Sequence, residues 1–248
     1  MPVLTAAGPV LVHFFDFAQL NSVRTLPYLV EWDRRYREAG LSTIGVQAPR
    51  FPFGAAEPAV AAGLEGLGID FPVAIDAEHA LWHAYGCEGW PSLFLWSTGG
   101  ALSWFHFGEG EYLNTELAIQ EELRELDALR SLPEPMQALR PSDTPSARVM
   151  PPTPEVFPGG SWEEPWAPSA GEAELEIDYA AAVAGATVEG RGELQVAIDG
   201  GEPRSIEVEG PGLHVLAEHE RHEAHHLKLT TTRGDLRIWS VSFAAGLP

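Results

Sequence analysis

The hydrophobic and polar positions divide the chain into two halves with different periods. In the first half, short apolar runs alternate with stretches whose apolar residues recur every three or four positions, the signature of strands alternating with amphipathic helices. Gly8-Pro9 opens an apolar run, Val10–Phe15, that reads as a strand. A helical pattern follows from Leu20 to about Glu38, with Val23, Leu26, Val30 and Tyr36 directed at a sheet. Pro27 lies inside it, where a missing backbone donor predicts a kink. Arg34, Arg35 and Arg37 near its end complement the helix dipole, and Gly40 stops it. Strands are then predicted at Leu41–Gln47 and Phe71–Asp76, and helices at Ala55–Leu67 and Glu78–Tyr85. Ser92–Trp96 and Ala101–Phe107, joined by Thr98-Gly99-Gly100, read as a β-hairpin, and Tyr112 to about Leu129 as a long acidic helix.

Beyond Gly171 the period becomes two. Ala173, Leu175, Ile177 and Tyr179 alternate with Glu172, Glu174, Glu176 and Asp178, and Leu194, Val196 and Ile198 lead into Asp199-Gly200-Gly201, a hairpin turn. With Ser205–Glu209, Leu213–Leu216, His226–Thr231 and Leu236–Phe243, this predicts about seven short strands and an antiparallel β-sandwich. Between the halves, prolines crowd from Ser131 to Pro168 (Pro133, Pro135, Pro141, Pro145, Pro151, Pro152, Pro154 and Pro158), as in an extended, semi-rigid linker. The expected organisation is therefore an α/β domain over 1–130, a linker over 131–168 and a β-sandwich over 169–248. Trp162 and Trp166, near the end of the linker, are expected to pack onto a neighbouring domain.

At 248 residues both domains are long enough for their own cores, and 45% apolar composition is that of a globular protein. A formal charge of −21 repels phosphate backbones and anionic lipid, which argues against nucleic acid or a membrane surface as partner. No window approaches the ~20 apolar residues that span a bilayer, and Met1-Pro2-Val3-Leu4 does not open like a secretory leader. The expected location is the cytoplasm. One cysteine, Cys87, excludes an intramolecular disulfide.

The most informative stretch is V-H-F-F-D-F-A-Q-L-N-S-V-R-T-L-P-Y, residues 12–28: a strand, a short polar turn and a proline-containing helix. It resembles the active-site region of TlpA/redoxin-type thioredoxin-like domains, in the form found at the C-terminal end of DipZ-like membrane proteins, where the turn reads C-I-N-C before L-R-T-L-P-Y. Asn21 and Arg24-Thr25-Leu26-Pro27-Tyr28 match. The two cysteine positions are Gln19 and Ser22, and His13 stands where the resemblance implies a buried acid. Further strings carry the likeness: Val46-Gln47-Ala48-Pro49, Asp76 to Gly86, and His106 to Tyr112. Trp90-Pro91 falls where such domains carry a cis proline beside a groove that docks extended peptides. The resemblance implies a three-layer α/β/α thioredoxin-like fold for residues 8 to 128. Gln195 to Gly200 is similar to a hairpin in the small sandwich, likened to carbohydrate-binding modules, that follows the thioredoxin domain in DipZ-like proteins.

Thiol–disulfide exchange needs a thiolate nucleophile and a second thiol to resolve the mixed disulfide. Gln19 and Ser22 supply neither, so Gln19, Leu20, Asn21 and Ser22, with His13, read as a vacated redox site. Two readings of the turn stay open. Gln19 and Ser22, with Trp90 and Pro91, form a retained docking site for a protein or peptide, or these polar residues only cap the helix. Ser22 with His13 is conceivable as a hydrolase pair, although His13 should point into the core.

Cys87 is the candidate for one-cysteine redox or peroxide chemistry, but Glu88 beside it disfavours a thiolate, and a passive loop cysteine is the plainer reading. His214, His219, His222, His225 and His226 crowd one region. His219 with His222, or His222 with His226, would suit zinc only on a helix, whereas this stretch reads as a surface hairpin between strands. No metal and no cofactor are expected. Trp162, Trp166, Tyr179 and Trp239 are candidate stacking platforms for a glycan. The expectation is a thioredoxin-like protein without redox chemistry that serves as a binding or scaffold module. The alternatives are a Cys87-dependent oxidoreductase and a glycan-binding protein.

Overall fold

The computed structural model describes residues 7–169, 171 and 173–248; the N-terminal tetrapeptide and Glu172 of the alternating run lie outside them. Among the described residues two compact units emerge, one of residues 7–17 and 21–145, the other of 18–20 and the described residues from 146 to 248.

The first unit is built on β1 (Val10–Phe15), whose six residues are all buried. It pairs in parallel with β2 (Ser42–Gln47) and antiparallel with β4 (Ser92–Trp96). With β3 (Val73–Ile75) and β5 (Leu102–Phe107) the sheet order is β3-β2-β1-β4-β5, the first three strands parallel and the last two forming the expected hairpin. This is the arrangement that a thioredoxin-type chain order requires. A central strand is covered on both faces, which explains its unbroken apolar run. Alternation still separates the faces. Leu11 joins Leu93 and Leu95 beneath residues of α1 (Leu20–Tyr36) and α4 (Tyr112–Leu126), and Val10, Val12 and Phe14 join Phe94 and Trp82 of α3 (Ala80–Tyr85) on the other face. The short α2 (Glu57–Gly66) buries Val60.

Helix α1 ends at Tyr36, short of the predicted Glu38, and a single 3-10 turn over Arg37–Ala39 carries the chain to Gly40, which lies in the left-handed region (φ 109°), where a side chain would be strained. Its buried stripe overlaps the predicted one in part. Leu26 and Tyr36 are buried as expected, together with Leu20, Tyr28, Leu29 and Trp32, whereas Val23 and Val30 are only half-buried and Pro27 faces outward. The helix turns its largest side chains inward because aromatic area contributes most to the core.

The predicted linker is divided between the units, and its first part is fastened to the first unit. Leu132 and Met136 pack against the α1/α4 core. Buried Glu116 of α4 accepts hydrogen bonds from the Arg35 guanidinium (3.0 Å), the Tyr36 hydroxyl (2.6 Å) and the Met136 N–H (2.8 Å). Tyr28 and Tyr112 stack with centroids 3.7 Å apart, and Tyr28 donates to Asp143 at 2.7 Å while accepting the Leu139 N–H. Arg140 lies over both rings and pairs with Asp143 and Glu109. Proline content alone reads as extension; the side chains between the prolines dock it.

The second unit is one hydrogen-bonded antiparallel sheet of five strands, order β10-β6-β9-β7-β8, in place of about seven short strands. Its strands are β6 (Glu174–Glu189), β7 (Gly192–Ile198), β8 (Arg204–Val208), β9 (Gly212–Gly234) and β10 (Arg237–Ala244). Leu213–Leu216 and His226–Thr231 are two parts of β9, and the histidine-rich stretch expected to join them as a hairpin is itself strand. Asp199-Gly200 make the predicted turn, both in the left-handed region. The outer edge of β10 is closed by the second part of the linker, through bridges Val156–Val241 and Trp166–Ile238. Trp166 thereby packs against this sheet's own core, while Trp162 stays 58% exposed. Among the described residues no helix is long and apolar enough to cross a membrane.

Replacing Glu116 leaves a nearly buried guanidinium, a phenol and an N–H without their shared acceptor. Glu116→Ala is expected to destabilise the first unit by about 3–5 kcal/mol, the usual cost of breaking a buried ion pair on one side. A lowered urea midpoint at unchanged denaturant dependence checks this; an unchanged midpoint refutes it.

Candidate functional site

The strand–turn–helix corner at the C-terminal end of β1 is held by hydrogen bonds. Asp16, the first polar residue after the strand, is buried. Its carboxylate accepts the Arg50 N–H at 2.8 Å and the Gln47 side-chain amide at 3.2 Å, and its own N–H donates to Ser22 Oγ at 3.3 Å. Gln47 in turn accepts the Phe17 N–H through Oε1 at 3.0 Å. The end of β1, the start of α1 and the loop after β2 are thus joined through three side chains, those of Asp16, Ser22 and Gln47.

Ser22 is fully buried inside this network, and Gln19 is half-buried and already engaged by neighbouring groups. Neither offers a thiol or an activated nucleophile. Asn21 gives its carbonyl to the Thr25 hydroxyl at 2.9 Å, an ordinary bond one helical turn apart. Leu20 and Ala18 group with the second unit. Leu20 packs with Ala182, Val183, Leu213 and Ala244, and the Thr187 hydroxyl donates to the Ala18 carbonyl at 2.6 Å.

His13 is fully buried on the Leu11 face of β1, stacked on Phe15 at 5.7 Å, and neither ring nitrogen has a hydrogen-bond partner. Burial pushes its pKa down to about 3, so it is a neutral core residue. The conceived Ser22–His13 hydrolase pair is therefore not formed. His13 also cannot do the work of a buried acid, which must exchange a proton near neutral pH.

Trp90-Pro91 is in the cis form, as the resemblance implied. Trp90 is half-exposed, stacks on Trp82 with centroids 4.1 Å apart, and donates its indole N–H to the Ala48 carbonyl at 2.8 Å. The Arg50 guanidinium lies 5.7 Å from the Trp90 ring and 5.3 Å from that of Phe51. Pro91 is buried. Cys87 is half-buried against the apolar face that holds Trp82 and Phe94, and burial pushes its thiol up to about 11. At neutral pH that sulfur is protonated and a poor nucleophile.

In the second unit, His219, His222 and His226 do not converge. His219 Nε2 is 2.7 Å from the Tyr179 hydroxyl, and His226 Nδ1 is 2.8 Å from Asp178. Among the described residues no group of three or more His, Cys, Asp or Glu side chains is placed to hold a metal ion. Tyr179 and Trp239 are buried, which removes two of the four proposed stacking platforms.

Sequence reading missed Asp16 and Gln47. A lone carboxylate closing an otherwise apolar strand was the available signal, since a buried charge requires donors around it.

No protein-family model matches the chain. It is similar to Protein DipZ of Mycobacterium bovis and of Mycobacterium tuberculosis, with 27% identity over a 272-residue alignment that covers 94% of this chain. The chain spans 38% of the length of these curated relatives. Among solved structures it is similar to a thiol-disulfide isomerase from Corynebacterium glutamicum (21% identity, 50% of this chain and 85% of that one, TM-score 0.45). A secreted Mycobacterium tuberculosis disulfide oxidoreductase is similar over 48% of this chain and 85% of its own, at 12% identity and TM-score 0.42.

Because the native pKa of His13 lies below the unfolded value of 6.5, the unfolded state binds the extra proton. Stability is thus full above pH 6.5 and falls as the pH drops towards 3, by about 1.4 kcal/mol per unit. His13→Leu, similar in volume and unable to ionise, is expected to remove about 2 kcal/mol of the loss between pH 6.5 and 5. Urea titrations of both proteins at the two pH values measure this; equal losses would show that another group is responsible.

Proposed function

We propose that this chain is a thioredoxin-like protein without thiol–disulfide chemistry that serves as a non-catalytic binding or scaffold module. The observation that carries the reading is the state of the turn. The positions that need two thiols hold Gln19 and Ser22, and Ser22 is buried as a hydrogen-bond partner of Asp16. The framework around that turn is kept, including the Trp90-Pro91 corner with its half-exposed indole. Within this reading, a protein or peptide segment docks at the Trp90-Pro91 corner, and apolar contact with Trp90 supplies much of its affinity. Ser22, fully buried, belongs to the support of that corner rather than to its exposed surface.

The one-cysteine alternative asks Cys87 to react from a half-buried site where its thiol is held protonated. A coupled disulfide-reductase and peroxidase assay on the wild type and Cys87→Ser decides between the two. The expected result is no turnover above background in either protein. Turnover in the wild type that Cys87→Ser abolishes would replace the present reading with a one-cysteine enzyme.

The glycan reading of the second unit narrows to Trp162, because it alone among the four named aromatics is largely exposed. Binding on a glycan array that Trp162→Ala removes is the result that would promote it. For the docking corner, a displayed peptide library selected on the wild type is expected to yield peptides whose affinity falls at least roughly tenfold with Trp90→Ala, as for an aromatic anchor. Peptides that bind both proteins equally would place the docking surface elsewhere.

A further inference from the structure

A histidine cluster in the second unit plays no part in the proposed function. Strand β9 is continuous, but its ladder with β6 jumps: Val183 pairs with Glu218 and Ala181 with Glu223, so Ala182 faces the four residues 219–222. Extra residues opposite a single partner form a bulge that bends the strand and redirects its side chains. Across this bulge the rings of His219 and His225 stack, with centroids 3.6 Å apart and planes 13° from parallel. His219 Nε2 is 2.7 Å from the Tyr179 hydroxyl, and His225 Nδ1 is 2.8 Å from Asp199 Oδ2 in the β7–β8 turn. Nε2 of His225 is buried and has no hydrogen-bond partner. The bulge also shares in holding residues 246–247, where the Gly246 carbonyl accepts the Met150 N–H at 2.8 Å. The His222 N–H donates to the Leu247 carbonyl at 2.7 Å, and Gly246 lies so close to Ala182 that a Cβ there would stand 2.3 Å from the alanine methyl.

The Tyr179 contact suits a neutral His219, whose Nε2 then accepts from the tyrosine hydroxyl. His225 donates from Nδ1 to Asp199. A proton on Nε2 of His219 displaces the tyrosine as donor. A proton on Nε2 of His225 creates a buried donor without an acceptor, which is costly. Two charged rings at 3.6 Å would repel each other across a separation that no water can enter. The charged groups facing the pair are Asp199 from the turn, Glu223 from β9, and Asp178 from β6, the last engaged by His226, while Glu218 from β9 and Arg204 from β8, which donates to the Leu216 carbonyl, line the same hollow as His219. From β10, the uncharged Phe243 ring stacks on Tyr179 at 4.8 Å. The carboxylates favour a proton on His219, yet burial and the neighbouring His225 outweigh them and hold it below the ordinary histidine range. Asp178 raises His226, the opposite direction, but that pair is in open solvent and screened.

We infer that the stacked His219–His225 pair is a proton-sensitive clasp, which on protonation unseats the 219–222 bulge and releases Leu247 from His222. The direction follows from linkage. A ring whose native pKa lies below its unfolded value keeps the clasp closed above about pH 6.5 and opens it as the pH falls.

Amide hydrogen exchange and histidine ring titration, followed by NMR from about pH 7.5 to about pH 5, test this. The His222 amide is expected to lose protection at least roughly tenfold relative to the β7 amides of Leu194 and Val196, after correction for intrinsic exchange, in step with the His219 ring. His225→Phe keeps a stacking ring but carries no charge, and is expected to abolish that loss. Constant His222 protection in the wild type, or an undiminished loss in His225→Phe, overturns the clasp. If that variant does not fold, the wild-type titration still decides: a His219 midpoint at or above the ordinary histidine value, or one uncorrelated with His222 exchange, also overturns it.

Discussion

The buried carboxylate of Asp16 is the constraint on which the first unit's working corner depends. A charge removed from water must be surrounded by donors, and here backbone and amide N–H groups from two directions supply them. In meeting that demand, Asp16 and Gln47 bring together the end of β1, the residue that opens the turn and the loop after β2, and the Asp16 N–H, donating to Ser22 Oγ, adds the first turn of α1. A redox turn needs a mobile proton and an exposed sulfur. This turn instead has fixed acceptors and donors that are mutually satisfied, so the same backbone path now specifies shape rather than reactivity.

Polar groups elsewhere in this unit divide into two kinds. Glu116 and Asp143 gather several donors each and tie the segment after α4 to the helices. His13 gathers none. A neutral imidazole among Leu11, Phe15 and their neighbours contributes volume and an aromatic face, at the cost of two unmet nitrogens. The core tolerates it at neutral pH because the uncharged ring is the only form it admits.

Most of the first unit was legible in the sequence because its strands are short, apolar and separated by helical periods. Val10–Phe15 and Ser92–Trp96 were read with their observed bounds. Leu26 and Tyr36 of the α1 stripe were legible, but Val23 and Val30 were misjudged because they match the helical period as well as Leu29 and Trp32 do, and periodicity does not weigh side-chain size. The docking of residues 131–145 was hidden for a different reason. Proline reports on local backbone freedom, whereas Met136, Leu139 and Arg140 are placed by partners about 20 to 120 positions away in sequence. In the second unit, the polar run from Glu218 to His226 reads as a loop by composition, yet a bulged strand can leave every side chain in such a stretch at least partly exposed. The vacated redox site was visible in two letters, Gln19 and Ser22. Its replacement by the Asp16 network was not, since Asp16 and Gln47 meet only when β1 and β2 lie side by side.

The Trp82–Trp90 stack has an optical consequence. Two indoles 4.1 Å apart and tilted by 27° couple their electronic transitions, and the arrangement is fixed by the Trp90 hydrogen bond to Ala48. The near-ultraviolet circular dichroism of this protein should therefore carry a signed couplet from this corner. Anything that wedges against Trp90 or turns its ring would change that couplet without any dye or label, so the corner has its own built-in spectroscopic reporter of occupancy.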